Sequence, residues 1–406
     1  MAQPPSGVTP VSAMTVDCAA VDFDLSADQQ ALREAAAALL EGKAGHDELR
    51  ARVGSGVVVG TLPGAGEAAH GTGADVPQGY DGSAWDAMSE QGWLAIELPE
   101  DEGGLGLGLV EVAVLCEELG RRLVAAPFLP TVVALGALRD AEPGAAAATK
   151  EWREALSQGS AVGCAVVVPP GRISISGASS DAEVRLQGEA PPAPYAPSAD
   201  VAVLVCDEGT YAADLRTLGR PDPLPAMDRT RELGALRFDS APAVRLGGAD
   251  AAARALDRAA TLVSAEMLGA ADHVLSMSVD YAKDRVQFGK PIGSFQAVKH
   301  MLADALVDVE GMRSTAYYAA WCTAADDGER SLAASMAKAW CSDASRRVMG
   351  TGLQVHGGIG FTWEHDMHLY VKRAQLDQVS YGDASFHRDR IAAILRSRLE
   401  SGQALS

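Results

Sequence analysis

The chain has 406 residues, room for two or three domains of ordinary size, and its 48% hydrophobic and 22% charged content is that of a globular protein with a large core. Lys and Arg number 34 against 54 Asp and Glu, a net charge of −20. That surplus repels polyanions and argues against nucleic acid or an anionic membrane as a partner, while leaving room for a phosphorylated small molecule held by a local cluster of donors. The longest apolar runs, such as Val162–Pro169, fall far short of the ~20 residues that span a bilayer. No basic segment precedes an apolar one at the N-terminus, so no secretory signal is expected. The six cysteines (Cys18, Cys116, Cys164, Cys206, Cys322, Cys341) are scattered without a CxxC pair, which points to a reduced, cytoplasmic chain.

Residues 1–20 are rich in Pro, Ser and Gly and read as a disordered leader. Residues 21–160 read as an N-terminal helical domain. Ser26 is placed to cap a helix reaching about Lys43, with Leu32, Ala36, Leu39 and Leu40 on one stripe. Gly54–Gly82 reads as loop. Helical spacing returns at Trp85–Gln91, Val110–Arg122, Thr131–Leu138 and Thr149–Gln158, the last stopped by Gly159.

Residues 161–245 change period. Val162–Val168, Arg172–Ser176, Val184–Leu186, Val201–Cys206 and Ala235–Phe238 are short β-rich runs with Pro, Gly, Asp and Ser between them. Most gaps are too short for crossover helices, so a small, mostly antiparallel β domain is expected. Residues 246–406 are helical again. Leu256, Ala260, Val263, Met267, Ala271, Val274, Ser278 and Tyr281 step by three and four. Further long segments run Ala297–Ala324, Leu332–Met349 with Gly350 at its end, and Ala384–Leu399 behind Asp383. The predicted architecture is α+β: helices, a β domain, then a four-helix bundle.

Several common chemistries are missing. Glu102–Gly108 is Gly-rich, but Leu109 stands where a third Gly of a dinucleotide fingerprint belongs, and no strand of a βαβ unit precedes it. There is no Walker A loop, no G-x-S-x-G elbow and no HExxH. His365 and His368 stand at i, i+3 with no assured third ligand, so no metal is expected.

Two stretches carry more. Arg285-Val-Gln-Phe-Gly-Lys-Pro-Ile-Gly-Ser-Phe-Gln296 combines a planar guanidinium suited to a pyrophosphate, a ring able to stack, and an amide able to bond an adenine or ribose. Alone, it also reads as an inter-helix turn with an incidental Arg. Gln354-Val-His-Gly-Gly-Ile-Gly-Phe-Thr-Trp363 leaves backbone N–H groups at Gly357, Gly358 and Gly360 open to an anion just past a helix.

Together these stretches resemble the acyl-CoA dehydrogenase flavoprotein family. Leu98–Gly106, Glu117-Glu-Leu-Gly-Arg121, Asp228-Arg-Thr-Arg231 and Gly358–Tyr370 are similar to family segments, the last to an actinobacterial-type branch. The three-zone order is also the family's fold. The resemblance implies FAD, an acyl-CoA substrate, a tetramer built as a dimer of dimers, and an electron-transfer flavoprotein as acceptor. It places Arg285, Phe288, Gln296, Gln354, Gly357 and Gly358 on the ADP half of FAD, usually that of the neighbouring subunit.

Two departures qualify the match. The family's catalytic Glu usually follows the Tyr of a Tyr-Glu-Gly-Thr-Ser tail. Here the tail is Tyr381-Gly-Asp-Ala-Ser-Phe-His387, with Gly382 in the base position. A base placed instead on the first long C-terminal helix would fall at Ala259, with Asp257 about 200° around the helix. Asp383 is a weak substitute, since it reads as a helix N-cap, and His387 lies a turn further on. In the β domain, the family's Thr-Glu-Pro segment and its later Trp-or-Phe-Ile-Thr strand are replaced by Gly163-Cys-Ala-Val-Val-Val-Pro-Pro-Gly171 and Ile173-Ser-Ile-Ser-Gly177, so the hydroxyls and the acidic anchor that the family sets against the flavin ring are missing or scrambled.

The expectation is a base-deficient subunit of a heteromeric (α2β2) dehydrogenase, of the kind that the resemblance links to bulky or steroid side-chain acyl-CoA thioesters. It would donate FAD contacts in trans to a second acyl-CoA dehydrogenase-like chain. The alternatives are a complete homotetramer with an atypical base, Asp383, and a scaffold that binds no FAD.

Overall fold

The computed structural model describes residues 25–402 apart from 44, 46–48, 51, 52, 54–78 and 178–181. The leader, Cys18 and nearly all of the Gly54–Gly82 stretch lie outside the described residues. Helix α1 (Ala27–Lys43) opens as its sequence dictates: Gln29 N–H donates to Ser26 Oγ at 3.2 Å, and Ser26 N–H donates to Gln29 Oε1 at 3.0 Å. Asp81 caps α2 (Gly82–Glu90) through the Ala84 N–H at 3.0 Å. Next come α3 (Leu109–Arg121), α4 (Phe128–Arg139) and α5 (Lys150–Ser157). Helix α4 is buried on nearly every side, which its run of apolar residues requires.

The sheet consists of β1 (Gly163–Val167), β2 (Ile173–Ser176), β3 (Glu183–Pro194), β4 (Val201–Cys206), β5 (Gly209–Asp214) and β6 (Leu233–Gly247), in the order β1-β4-β5-β6-β3-β2. All its pairings are antiparallel except β1 with β4. Strand β5 has no counterpart among the runs read from the sequence, because Thr-Tyr-Ala-Ala has little β-branched character. Burial on both faces fixes it as a strand. Strands β3 and β6 run well beyond the predicted segments, and β3 carries Pro191 and Pro192 at a register shift, where a missing N–H is tolerated.

The C-terminal helices are α6 (Ala249–Asp284), α7 (Gln296–Ala324), α8 (Arg330–His356), α9 (Met367–Val379) and α10 (Ala384–Glu400). The four long helices marked in the sequence are present, and α9 is an additional, shorter one beside them. Gly350 does not end α8. It is exposed in mid-helix, and packing of Val348, Met349 and Gly352 outweighs its cost of about 1 kcal/mol. The main core runs from α1–α5 through the sheet to the first half of α6, and a second core fills the centre of α6–α9. The five described cysteines are buried and unpaired. Among the described residues no helix is long and apolar enough to cross a membrane.

Candidate functional site

Helix α6 ends at Arg285, whose N–H still reaches the Tyr281 carbonyl at 2.9 Å, and the chain turns into a two-stranded hairpin. Its strands, β7 (Val286–Gln287) and β8 (Lys290–Pro291), pair Val286 with Pro291 and Gln287 with Lys290. The two-residue loop, Phe288-Gly289, has φ of +53° and +77°, the pattern of a tight hairpin turn. A left-handed backbone costs a bulky residue about 1–2 kcal/mol. The hairpin accepts that strain and holds the Phe288 ring 91% exposed, edge-on to Phe295 at 6.1 Å. Gln296 opens α7 beside it, its amide 3.3 Å from His300 Nε2. Arg285 is exposed and has no carboxylate partner among the described residues.

The second stretch meets the same end of the bundle. His356, the last residue of α8, stacks on Tyr281 with centroids 4.6 Å apart, one turn before Arg285. Its Nδ1–H donates to the Gly352 carbonyl at 2.8 Å, and its Nε2 is buried without a partner. Gly357, at φ +62°, swings the chain into a short 3₁₀ turn. A Cβ at Gly357 or Gly358 would meet nothing within 4 Å, so the space before this backbone is open. Gln354 and Gly358 are exposed. The structure therefore gathers all six residues at one outer end of the bundle, and none of them lines the chain's own large cavity. An unpaired guanidinium, a presented ring and an open glycine backbone fit the ADP half of a dinucleotide lying outside this subunit's core.

That cavity, about 790 Å³, lies between the sheet and the ends of α9 and α10. Val166, Val168, Pro169, Pro192 and Leu256 give it apolar walls, and Tyr381–Asp383 close one side. Its carboxylates are Asp207 and Asp383. Asp383 Oδ1 accepts the Phe386 N–H at 2.8 Å, capping α10, so its carboxylate is committed to a helix end. His387 is buried, with Nε2–H to the Tyr381 carbonyl at 3.0 Å, and burial pushes its imidazole down to about 4. Ala259 is buried and inert. Asp257 is turned away from its position to bond Arg390 at 2.5 Å and Arg330 at 2.9 Å.

Gly382 is more than a missing side chain. Its φ is +94°, and a Cβ there would run into the Phe386 ring and come within 3.0 Å of His387 Nε2. The loop is built around a residue without a side chain. On the sheet side, Gly163–Pro170 brings alanine, valine and proline side chains to the cavity, and Ser380 Oγ donates to the Leu376 carbonyl at 2.9 Å. Gly163–Pro170 itself brings no hydroxyl to the cavity.

His365 and His368 do not converge on a common point of ligation. His365 Nδ1 accepts the Met367 N–H at 3.1 Å, while His368 packs on Trp363 and faces Lys372 Nζ at 3.3 Å. Among the described residues no group of three His, Cys, Asp or Glu could hold a metal.

Comparison with known proteins decides the family. Residues 63–160 match the acyl-CoA dehydrogenase N-terminal domain and residues 247–395 the acyl-CoA dehydrogenase C-terminal domain. The acyl-CoA dehydrogenase IpdE2 of Mycobacterium tuberculosis is 35% identical over 86% of this chain and 91% of its own. The chain belongs to the acyl-CoA dehydrogenase family. Members bind FAD and act as oxidoreductases on CH–CH donors. Among solved structures, a variant of the Tcur3481–Tcur3483 steroid ACAD is 27% identical, covers 92% of this chain and 99% of its own, and has a TM-score of 0.80. The ChsE4–ChsE5 complex from Mycobacterium tuberculosis is also 27% identical, covering 93% and 99%, with a TM-score of 0.78.

The sequence missed one feature of the site. Asp228 and Arg231 stood out only as a family-like segment. In the fold they join Glu266, Arg373 and Asp377 in a buried ionic cluster beneath the Tyr381–Gly382 loop.

Proposed function

We propose that this chain is the base-deficient subunit of a heteromeric, α2β2 acyl-CoA dehydrogenase, with domains at 21–160, 161–245 and 246–406. It lends Arg285, Phe288, Gln296, Gln354, Gly357 and Gly358 to FAD seated in a partner acyl-CoA dehydrogenase-like chain. In this reading the Arg285 fork engages pyrophosphate, Phe288 stacks, and the open Gly357–Gly358 backbone approaches the anion. The partner supplies the flavin-ring contacts and the carboxylate that removes the α-proton, a weak acid whose ionisation needs a positioned base. FAD held there would supply the acceptor for the β-hydride, with an electron-transfer flavoprotein as the expected oxidant. The substrate class we assign is a bulky or steroid side-chain acyl-CoA, and the setting is the cytoplasm. The two solved relatives named above support this, since each carries two chain names and one is called a steroid enzyme.

The observation that carries the reading is the backbone and surroundings of Gly382, the residue that the family resemblance aligns with the base: its φ is +94° and a Cβ there would run into the Phe386 ring. The test is expression of the chain alone and together with a second acyl-CoA dehydrogenase-like chain. Alone it should hold no stoichiometric flavin and turn over no acyl-CoA. Co-expressed, it should yield a yellow, active complex. A yellow homomer that dehydrogenates acyl-CoA would refute the division of labour.

A further inference from the structure

The cavity between the sheet, the start of α6 and the ends of α9 and α10 has no role in the division of labour set out above. Small residues make it. Helix α6 lines it with Ala249, Ala252 and Ala253, and a Cβ at Gly382 would collide with Phe386. Its volume of about 790 Å³ is within the range of about 300–1,000 Å³ typical of small-molecule sites. Val379 and Phe386 also line it and are 60% and 41% exposed, so its apolar wall continues to the surface.

The wall has little to offer a polar ligand. Pro169, Pro170, Pro191, Pro192 and Pro194 line it, and none has an N–H to donate. The Val168 N–H is spent on the Val205 carbonyl at 2.9 Å, and the Ser380 N–H on the Leu376 carbonyl at 3.1 Å. The Ser380 hydroxyl donates to that same carbonyl at 2.9 Å. Arg390 is the one cation among the described lining residues, and it donates to Asp257 at 2.5 Å and Ser335 at 3.0 Å. Burial keeps the Cys206 thiol neutral, pushing it up to about 12. The remaining charges are negative: Asp207 and Asp383 are exposed lining residues, and the exposed Glu208 follows Asp207.

We propose that this cavity is a non-catalytic binding site for an uncharged, lipid-like molecule with a rigid fused-ring body, taken in preference to a flavin ring or a CoA ester. A hydrocarbon body asks for no hydrogen bond, and it gains from contact with Val166, Val168, Leu256 and the prolines. Valine and proline are stiff, so the wall suits a rigid occupant better than one to which it must adapt. A flavin ring carries several hydrogen-bonding atoms that would lose water without replacement. A CoA ester would bring several negative charges towards two exposed carboxylates. The inference rests on the reading that FAD is seated in the partner chain, which leaves this cavity free.

The test is equilibrium dialysis of the protein as isolated, alone or in complex, with two probes that differ in one charge: lithocholate and its uncharged methyl ester. The ester should bind saturably to this chain and more tightly than the acid, and neither FAD nor butyryl-CoA should displace it. Ala253→Trp fills the cavity and should weaken the ester at least about tenfold. Should that variant fail to fold, Val379→Asp sets a carboxylate on the exposed part of the wall and should weaken it likewise. Asp207→Lys should narrow the preference for the ester over the acid by about fivefold, with little change for the ester itself. Absence of saturable binding, a preference for the acid, displacement by FAD or butyryl-CoA, or an ester affinity that both cavity variants leave unchanged overturns the proposal. Failure of the partner reading is seen separately, as flavin colour and acyl-CoA turnover in the chain alone before any steroid is added.

Discussion

The Lys338 ammonium donates to the carbonyl of Gly382 at 2.9 Å from a position with no solvent exposure at all. The same nitrogen holds the Gln378 carbonyl and the Ser342 hydroxyl, so one cation ties α8 to both sides of the Tyr381–Gly382 turn. Burial lowers its amine to about 8, which keeps it charged at neutral pH. Lys338→Met keeps the apolar stem but strands two carbonyls, and should cost about 2–4 kcal/mol in denaturant unfolding. Gly382→Glu should also destabilise, by about 2 kcal/mol or more from backbone strain and the collision with Phe386, and should bring no acyl-CoA turnover to this chain's own pocket.

His387 gives the chain an acid-sensitive point. Desolvation dominates its lowering to about 4, against an ordinary value of 6.5. The folded state thus binds fewer protons than the unfolded state between those values. The stability involved is fully present above 6.5 and is lost as pH falls towards about 4. The loss should approach about 3 kcal/mol. Unfolding midpoints of wild type and His387→Gln, measured across that interval, should converge on acidification, because the amide carries no such titration.

Phe288 offers a test of the outer end of the bundle that does not disturb the fold. Its ring is almost wholly exposed and its backbone is left-handed, so Phe288→Gly relieves strain and should leave stability unchanged or slightly higher. Arg285→Ala removes a surface guanidinium with no carboxylate partner among the described residues, and should likewise be within about 0.5 kcal/mol of wild type. In a complex with a partner chain, both should lower flavin occupancy at unchanged assembly. The check is the ratio of visible to protein absorbance after gel filtration.

Much of this was legible in the sequence because it is local. The Ser26 cap, the long helices and the continuous apolar runs of β1 and β4 follow from residues close together in the chain. The Arg285–Gln296 stretch is compact enough for its turn and helix start to be read directly, though not the hairpin pairing. What escaped depends on distant partners. Strand β5 exists because β4 and β6 flank it, and α8 runs through Gly350 because α6 and α9 pack around it. The bond from Arg231 to Asp377 spans 146 residues, a separation no local pattern encodes.

Glu117 shows the same long-range logic and yields a sharp expectation. It stood out in the sequence only within a family-like segment, yet it is fully buried at the crossing of three helices. Its carboxylate accepts Arg33 of α1 at 2.9 Å, Arg121 of its own helix α3 at 3.4 Å, and Arg313 and Tyr317 of α7 at 3.0 and 2.5 Å. Asp272 of α6 supports Arg121 at 2.6 Å and Arg313 at 3.3 Å. Removing one partner of a buried ionic group is far more damaging than removing a surface pair, because the remaining charges are left uncompensated. Glu117→Gln keeps the shape but leaves three guanidiniums around a neutral amide, and should cost about 3–5 kcal/mol. Tyr317→Phe deletes the hydrogen bond to the carboxylate and the one that Arg33 Nη2 donates to the phenol at 3.0 Å, and should cost about 1.5–3 kcal/mol. Equilibrium denaturation of the two variants ranks them, and a smaller loss for Glu117→Gln than for Tyr317→Phe would show that the phenol, not the carboxylate, organises this crossing.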